Sequence, residues 1–211
     1  MTILALEFSS EQRSVAVVRD GVMLGGAEET GGRAMNAFGM IARALAGANL
    51  RREEIEAITV GLGPGSYTGI RAAIAIAQGW QLARPIKLTG ISSVEAIAAR
   101  ARAGKIFGQV NVVMDAQRSE FYLATWNISE NECREISPLK IVAAAEVEAR
   151  KRAGEICVGP ATGMILFPTA AMVACLAEKR TDSTSDEKLE PIYLRVTNFV
   201  KLATAPSAYN L

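Results

Sequence analysis

Between a short apolar run and a long apolar helix, the chain reads Gly61-Leu62-Gly63-Pro64-Gly65-Ser66-Tyr67-Thr68-Gly69. Glycines in a strand-to-helix turn permit positive φ and close backbone approach, and free amides at a helix start attract phosphate and other anions. Gly63, Gly65 and Gly69, with the hydroxyls of Ser66 and Thr68, are therefore candidate phosphate-binding residues. The same residues would equally serve a tight turn that lets the helix pack on its sheet, with Ser66 or Thr68 capping the helix. The segment is neither a Walker loop, because no Gly-Lys-Ser/Thr follows, nor a Rossmann fingerprint.

Two carboxylates invite a second chemistry. Glu7 and Asp115 each close an apolar run before a polar turn, and facing each other across a cleft they would hold magnesium through oxygen ligands. Ser9 and Ser10, just after Glu7, extend the candidate anion site. Alternatively, each carboxylate caps its own turn or pairs with an arginine. Arg118 and Glu120 would suit a ligand or a solvated turn, and Trp80 and Trp126 suit packing better than stacking on a ligand.

What is missing narrows the chemistry further. There is no histidine in the 211 residues, which removes the commonest general base, the commonest metal ligand and every Ser-His or Cys-His dyad. The three cysteines, Cys133, Cys157 and Cys175, are far apart and form no Cys-x-x-Cys pair. A reducing compartment fits better than a disulfide framework or a zinc site. No catalytic residue, metal or cofactor is expected.

The elements that must position these residues follow from pattern. Ile3–Phe8 reads as a buried strand, and Ser14–Arg19 and Val22–Gly25 flank Asp20-Gly21, a strong hairpin signal. Ala34–Ala48 reads as a helix closed by Gly47 and Asn49, Ile55–Gly61 as a strand, and Thr68–Ala83 as a helix stopped by Pro85. Ile86–Thr89 is a further strand, and Ser92 with Glu95 has the form of a capping box for a helix running to about Arg102. The second half starts again with strands at Val110–Met114, Phe121–Trp126 and Cys133–Ile136, a helix at Glu146–Ala153, and Ile156–Val158 leading into Gly159-Pro160-Ala161-Thr162-Gly163. In both halves a strand ends in a carboxylate, and later a strand ends in Val-Gly before a Gly/Pro turn. The expectation is an α/β chain of two similar lobes facing a cleft, the arrangement of actin-like folds, with lobes at residues 1–104 and 105–211. Thr181–Lys188 reads as a linker and the residues from Thr204 as a poorly ordered tail.

Two helices lack a wet face. Ala34–Ala48 presents Met35, Phe38, Ile41, Ala42 and Leu45, and the helix after the glycine turn presents Ile70, Ala73, Ile74 and Ala77, with only narrow polar stripes. A helix at the edge of a small protein normally keeps a polar side. Burial of the second side against a partner chain is the expectation, with burial by the second half of this same chain as the alternative, and these nine residues are the candidate interface.

Half of the residues are hydrophobic and 21% are charged, the balance of a folded globular chain. A formal net charge of +1 gives no strong pull toward nucleic acid. The start lacks a basic leader and no apolar stretch suits a membrane span, so the expected location is the cytoplasm.

Three motifs together carry a family resemblance over nearly the whole length: Gly63-Pro64-Gly65-Ser66-Tyr67-Thr68-Gly69-Ile70-Arg71, Met114-Asp115-Ala116-Gln117-Arg118-Ser119-Glu120-Phe121-Tyr122 and Pro191-Ile192-Tyr193-Leu194-Arg195. In this order and spacing the chain resembles the TsaB (YeaZ) family of tRNA threonylcarbamoyladenosine biosynthesis proteins. The resemblance implies an actin-like, RNase H-like fold of two lobes, each with a mixed sheet flanked by helices. It also implies a non-catalytic subunit that binds and activates the related catalytic subunit TsaD through helices, with TsaE as a further partner and a homodimer when alone. That assembly transfers threonylcarbamoyl to adenine 37 of tRNA, so tRNA would be met indirectly. The missing histidines agree with a scaffold and count against a metallopeptidase, whereas an ATP-dependent enzyme of the actin and sugar-kinase superfamily is the alternative. The chain departs from the family at Leu6-Glu7-Phe8-Ser9-Ser10, where Ile-Asp-Thr-Ser/Ala is usual, so Glu7, Ser9, Ser10, Asp115 and the glycine turn are at most a vestigial phosphate site.

Overall fold

The computed structural model describes residues 1–31, 36–180 and 189–195. Among these the strands form two mixed sheets. The first has strands β1 (Thr2–Glu7), β2 (Gln12–Arg19), β3 (Val22–Thr30), β4 (Ala57–Gly61) and β5 (Lys87–Ile91) in the order β3-β2-β1-β4-β5. The second has β6 (Gly108–Asp115), β7 (Glu120–Ile128), β8 (Cys133–Ala143) and β9 (Ile156–Val158) in the order β8-β7-β6-β9. In each, an antiparallel meander leads to a parallel partner for its first strand: β4 beside β1, and β9 beside β6. The echo seen in the sequence is thus a repeated topology, and the two-lobed actin-like fold stands.

Asp20 (φ 51°) and Gly21 (φ 76°) are both left-handed and close the two-residue β2–β3 turn, as the Asp-Gly signal requires. β1 is buried at every position because both of its faces are covered. Leu4 and Leu6 pack with α1 (Ala37–Gly47) and α2 (Tyr67–Ala83), while Ile3 and Ala5 pack with α5 (Ala170–Lys179). That two-sided burial is why the segment reads as a continuous apolar run rather than an alternating one. β6 behaves likewise, with Val110, Val112 and Met114 meeting α3 (Ser93–Ala103) and Val113 sharing a core with Val147 of α4 (Ala144–Arg152).

The lobes are interwoven at their base. α3 lends Val94, Ile97, Ala98 and Ala101 to the core of the second sheet and Ala96 to the core that α5 forms on the first. α5, late in the chain, is anchored on the first sheet by Ala170 N–H donating to Ser14 Oγ at 2.9 Å. It was not anticipated from the sequence, although Thr169 caps it through Met172 N–H at 3.4 Å and an apolar Ala170–Ala177 run follows.

One cap differs from expectation. Ser92 precedes α3 but its side chain makes no capping bond, and Glu95 pairs with Arg180 at 2.8 Å. The next residue, Ser93, has the structural role instead. Met35, the 181–188 linker and the tail from residue 204 lie outside the described residues.

Candidate functional site

Where the C-terminal ends of β1 and β6 face each other, the lobes enclose an open cleft of about 940 Å³. Ser9, Ser10, Gly65, Ser66 and Tyr67 line one side, and Asp115, Gln117, Phe121, Tyr122 and Pro160 line the other. Of the nine candidate phosphate-site residues, the structure brings five to this cleft: Ser9, Ser10, Gly65, Ser66 and Asp115. Glu7, Gly63, Thr68 and Gly69 do not line it.

Glu7 is wholly buried. Its Oε1 accepts the Ser9 N–H at 2.7 Å and its Oε2 accepts the Ser93 hydroxyl at 2.8 Å. A Cβ at Gly61 would collide with the same carboxylate, so it is enclosed by β4 as well. Burial pushes the Glu7 carboxyl above its ordinary range, and the bonds from Ser9 and Ser93 only oppose that shift. The carboxylate organises the start of the lobe and is turned away from the cleft. The imagined Glu7–Asp115 magnesium pair therefore does not assemble.

Asp115 is exposed. Its Oδ1 accepts Gln117 N–H at 2.7 Å and its Oδ2 accepts Gln117 Nε2 at 2.9 Å. The bond from a strand-end carboxylate to the backbone two residues on is thus shared by the two lobes, as Glu7–Ser9 and Asp115–Gln117. Among the described residues, no three Cys, Asp or Glu side chains gather to hold a metal ion.

The glycine turn is a packing device at its ends. Gly65 (φ +143°) and Gly69 present their faces to the carbonyls of Ser9 and Phe8, where a Cβ would collide, and Ser66 N–H donates to Ser9 O at 2.7 Å. Ser66 is the N-cap of α2, accepting Gly69 N–H at 3.3 Å. Thr68 is exposed on the first turn. Gly159 (φ +137°) repeats the device in the second lobe, against Val113 O. Ser9 Oγ is buried without a hydrogen-bond partner, and the Ser10 hydroxyl is used locally, donating to Gln12 O at 2.8 Å.

The candidate interface residues divide sharply. Ile41, Leu45, Ile70, Ala73, Ile74 and Ala77 point into the chain's own core, whereas Phe38 and Ala42 are exposed. On the outer side of α1 and α2, Phe38 and the edge of Ile41 are joined by residues outside the candidate set. Phe38, Ala72, Ala75, Ile76, Gly79 and Trp80 line an apolar groove of about 900 Å³, with Arg52, Glu53 and Arg84 at its polar margin. Phe38, 73% exposed, is the most prominent aromatic of that groove.

Two further groups escaped sequence reasoning. Ser93 ties Glu7 to the glycine turn by also accepting Gly63 N–H at 3.1 Å. Tyr193, of the closing motif, stacks on Tyr67 with ring centroids 5.3 Å apart. Both are long-range pairings with no local signal beyond the identity of the motifs. The three cysteines are free thiols, each raised above the ordinary thiol range by burial.

With this geometry in hand, comparison with known proteins is decisive. The family model described as TsaD, tRNA N6-adenosine threonylcarbamoyltransferase, matches residues 34–159. The Escherichia coli tRNA threonylcarbamoyladenosine biosynthesis protein TsaB is 27% identical over 92% of this chain and 95% of its own. The chain belongs to this family, in its TsaB (YeaZ) branch. An uncharacterized protein of Mycobacterium tuberculosis is 34% identical over 129 residues, 59% of this chain and 59% of that protein. The YeaZ structure from Pseudomonas aeruginosa superposes with a TM-score of 0.75 at 24% identity, over 92% of this chain and 99% of that one. That structural likeness gives the TsaB/YeaZ fold over nearly the full length, second lobe included.

Proposed function

We propose that this chain is a non-catalytic subunit of the assembly that adds threonylcarbamoyl to adenine 37 of tRNA, and that it acts by binding and activating a TsaD-type catalytic subunit. The observation that carries this reading is the outer face of α1 and α2, an apolar groove with Phe38 on its rim. A face of that size and composition favours a partner over solvent. The Escherichia coli relative, a tRNA threonylcarbamoyladenosine biosynthesis protein, suggests the pathway, and the match to the TsaD family model supports the kinship expected of two paired subunits. Alone, the chain would pair with itself through the same face. TsaE would join the assembly, and tRNA would be reached through the complex.

The cleft supports the non-catalytic part of the reading. Glu7 is spent on Ser9 and Ser93, and the chain has no histidine to act as base or ligand. An ATP-dependent enzyme would need its acidic residues in the cleft, where Asp115 stands without Glu7. No helix among the described residues is long and apolar enough to cross a membrane, and the cytoplasm, where tRNA is modified, is the proposed location. Gel filtration with purified TsaD tests the reading: a heterodimer is expected, and persistence of two separate peaks at micromolar concentration would remove it.

A further inference from the structure

The closing motif does something that neither the groove nor the cleft explains. Residues 189–195 run from the first lobe to the second and touch a cleft-lining residue on each side, Tyr67 and Ala116. Leu189 is buried in the core beneath α1 and α2. Ile192 N–H donates to Leu62 O at 2.9 Å, at the start of the glycine turn. Tyr193 lies on Tyr67, the first residue of α2, with an interplanar angle of 24°, and Arg71 Cζ stands 4.5 Å from the centroid of that same Tyr67 ring. Arg195 then reaches the other lobe, donating from Nη2 to Ala116 O at 3.0 Å and to Glu120 Oε2 at 2.5 Å.

Those last two contacts bracket an unusual turn. Gln117, Arg118 and Ser119 are three successive non-glycine residues at φ 64°, 58° and 59°. Such residues avoid the left-handed region unless surrounding contacts hold them there. Here the holders are Asp115 on Gln117, Glu120 N–H on Gln117 O at 3.1 Å, Ala144 N–H on Ser119 O at 3.1 Å, and Arg195 on both flanks. The turn forms part of the far wall of the cleft through Gln117.

We propose that residues 189–195 are a strap that fixes the opening between the two lobes, with Tyr193 as its anchor on the first lobe and Arg195 as its latch on the second. The interwoven α3 and α5 hold the lobes together at the base, so a change in the angle between the lobes opens or closes the mouth. The strap joins the two walls of the cleft, holding Tyr67 on one and Ala116 on the other. From Ile192 to Arg195 an extended chain reaches at most about 10 Å, so there is little slack once both ends are seated. Its latch is a partly exposed ion pair with a hydrogen bond to a carbonyl, weak enough to release and weakened further by salt. Through Tyr67 and Arg71 the strap also rests on the start of α2, and Ala72, beside Arg71, lines the outer groove. This inference concerns the chain by itself and does not rest on the TsaD reading.

The test is a distance measurement between lobes. Spin labels are placed at Thr30→Cys, at the end of β3, and at Ala149→Cys, on the outside of α4, in a chain with Cys133, Cys157 and Cys175 replaced by alanine. The parent should give one narrow distance distribution. Arg195→Glu and Tyr193→Ala should each broaden it or move it, and Glu120→Arg should do the same. Combining Arg195→Glu with Glu120→Arg should narrow the distribution relative to either single exchange, since the ion pair is rebuilt with its charges exchanged although the bond to Ala116 O is not. The milder Arg195→Gln, which keeps a donor but no charge, serves where the reversed charge harms folding. An unchanged distribution in Arg195→Gln and Tyr193→Ala, with circular dichroism showing intact folds, would overturn the strap. A double exchange no narrower than the single ones would overturn the Arg195–Glu120 pair as its latch.

Discussion

Ser93 Oγ donates to the buried Glu7 carboxylate at 2.8 Å and accepts the Gly63 N–H at 3.1 Å. One hydroxyl thereby joins the end of β1 to the start of the glycine turn, eighty-six residues being the separation between Glu7 and Ser93. Because the turn also packs its glycines on Phe8 and Ser9, the carboxylate, the hydroxyl and the turn form one unit. Ser93→Ala removes the donor and leaves a buried carboxylate less satisfied, so stability should fall by about 1–3 kcal/mol in urea unfolding. Ser93→Thr keeps the hydroxyl and should recover part of the loss.

Glu7 gives the chain a pH dependence of definite sign. Its folded-state pKa lies above the unfolded one because burial penalises the charge. Between the two values the folded chain binds more protons than the unfolded chain, so the Glu7 contribution favours folding below the ordinary carboxylate range and is lost as pH rises through the folded pKa. Glu7→Gln should therefore flatten stability above that range. Thermal melts of parent and variant from acid to neutral pH check this, and parallel curves would show that Glu7 does not titrate differently on folding. Asp20, Glu54, Glu56 and Glu146, whose pKa values are lowered, shift the parent curve the other way but are common to both chains.

Two glycines of α2 should respond oppositely to alanine. At Gly69 a Cβ would run into Phe8 O, whereas at Gly79 nothing stands within 4 Å. Gly69→Ala should cost about 1–3 kcal/mol by overpacking, and Gly79→Ala should gain up to about 1 kcal/mol from helix propensity. Equilibrium denaturation of the two single variants measures both signs.

The groove and the core beneath it should also separate. Phe38→Asp and Ala75→Asp alter exposed positions, so they should change stability by about 0.5 kcal/mol while abolishing co-elution with TsaD. Ile41→Asp buries a charge at a residue that is 3% exposed and should unfold the chain outright. Retained TsaD binding by Phe38→Asp and Ala75→Asp would move the interface to another face.

Much of this architecture was legible in the sequence, and the gaps have physical causes. The Asp20-Gly21 turn, the meander, the strand before each Gly/Pro turn and helices α1 to α4 follow from local chemistry that the fold leaves intact. The repeat was visible because Glu7 and Asp115 both receive an i+2 backbone amide at a strand end. Side-chain direction was harder to read. A helix apolar on all sides does not say which side faces its own sheet, so Ile41, Leu45, Ile70, Ala73, Ile74 and Ala77 were assigned outward, although they fill the core. The Ser92–Glu95 spacing suggested a cap, yet Glu95 is drawn to Arg180 on a distant segment. Ser93 and Tyr193 could not be placed at all, since their partners are brought to them only by the completed fold.

The central claim, that this chain activates a catalytic subunit, is tested most directly by reconstitution. Purified TsaD, TsaE, tRNA and threonylcarbamoyl adenylate are combined with and without this chain, and modified adenosine is measured after digestion of the tRNA. Formation that depends on the chain, and that is lost with Phe38→Asp, is the predicted result. Equal formation in its absence would contradict the account.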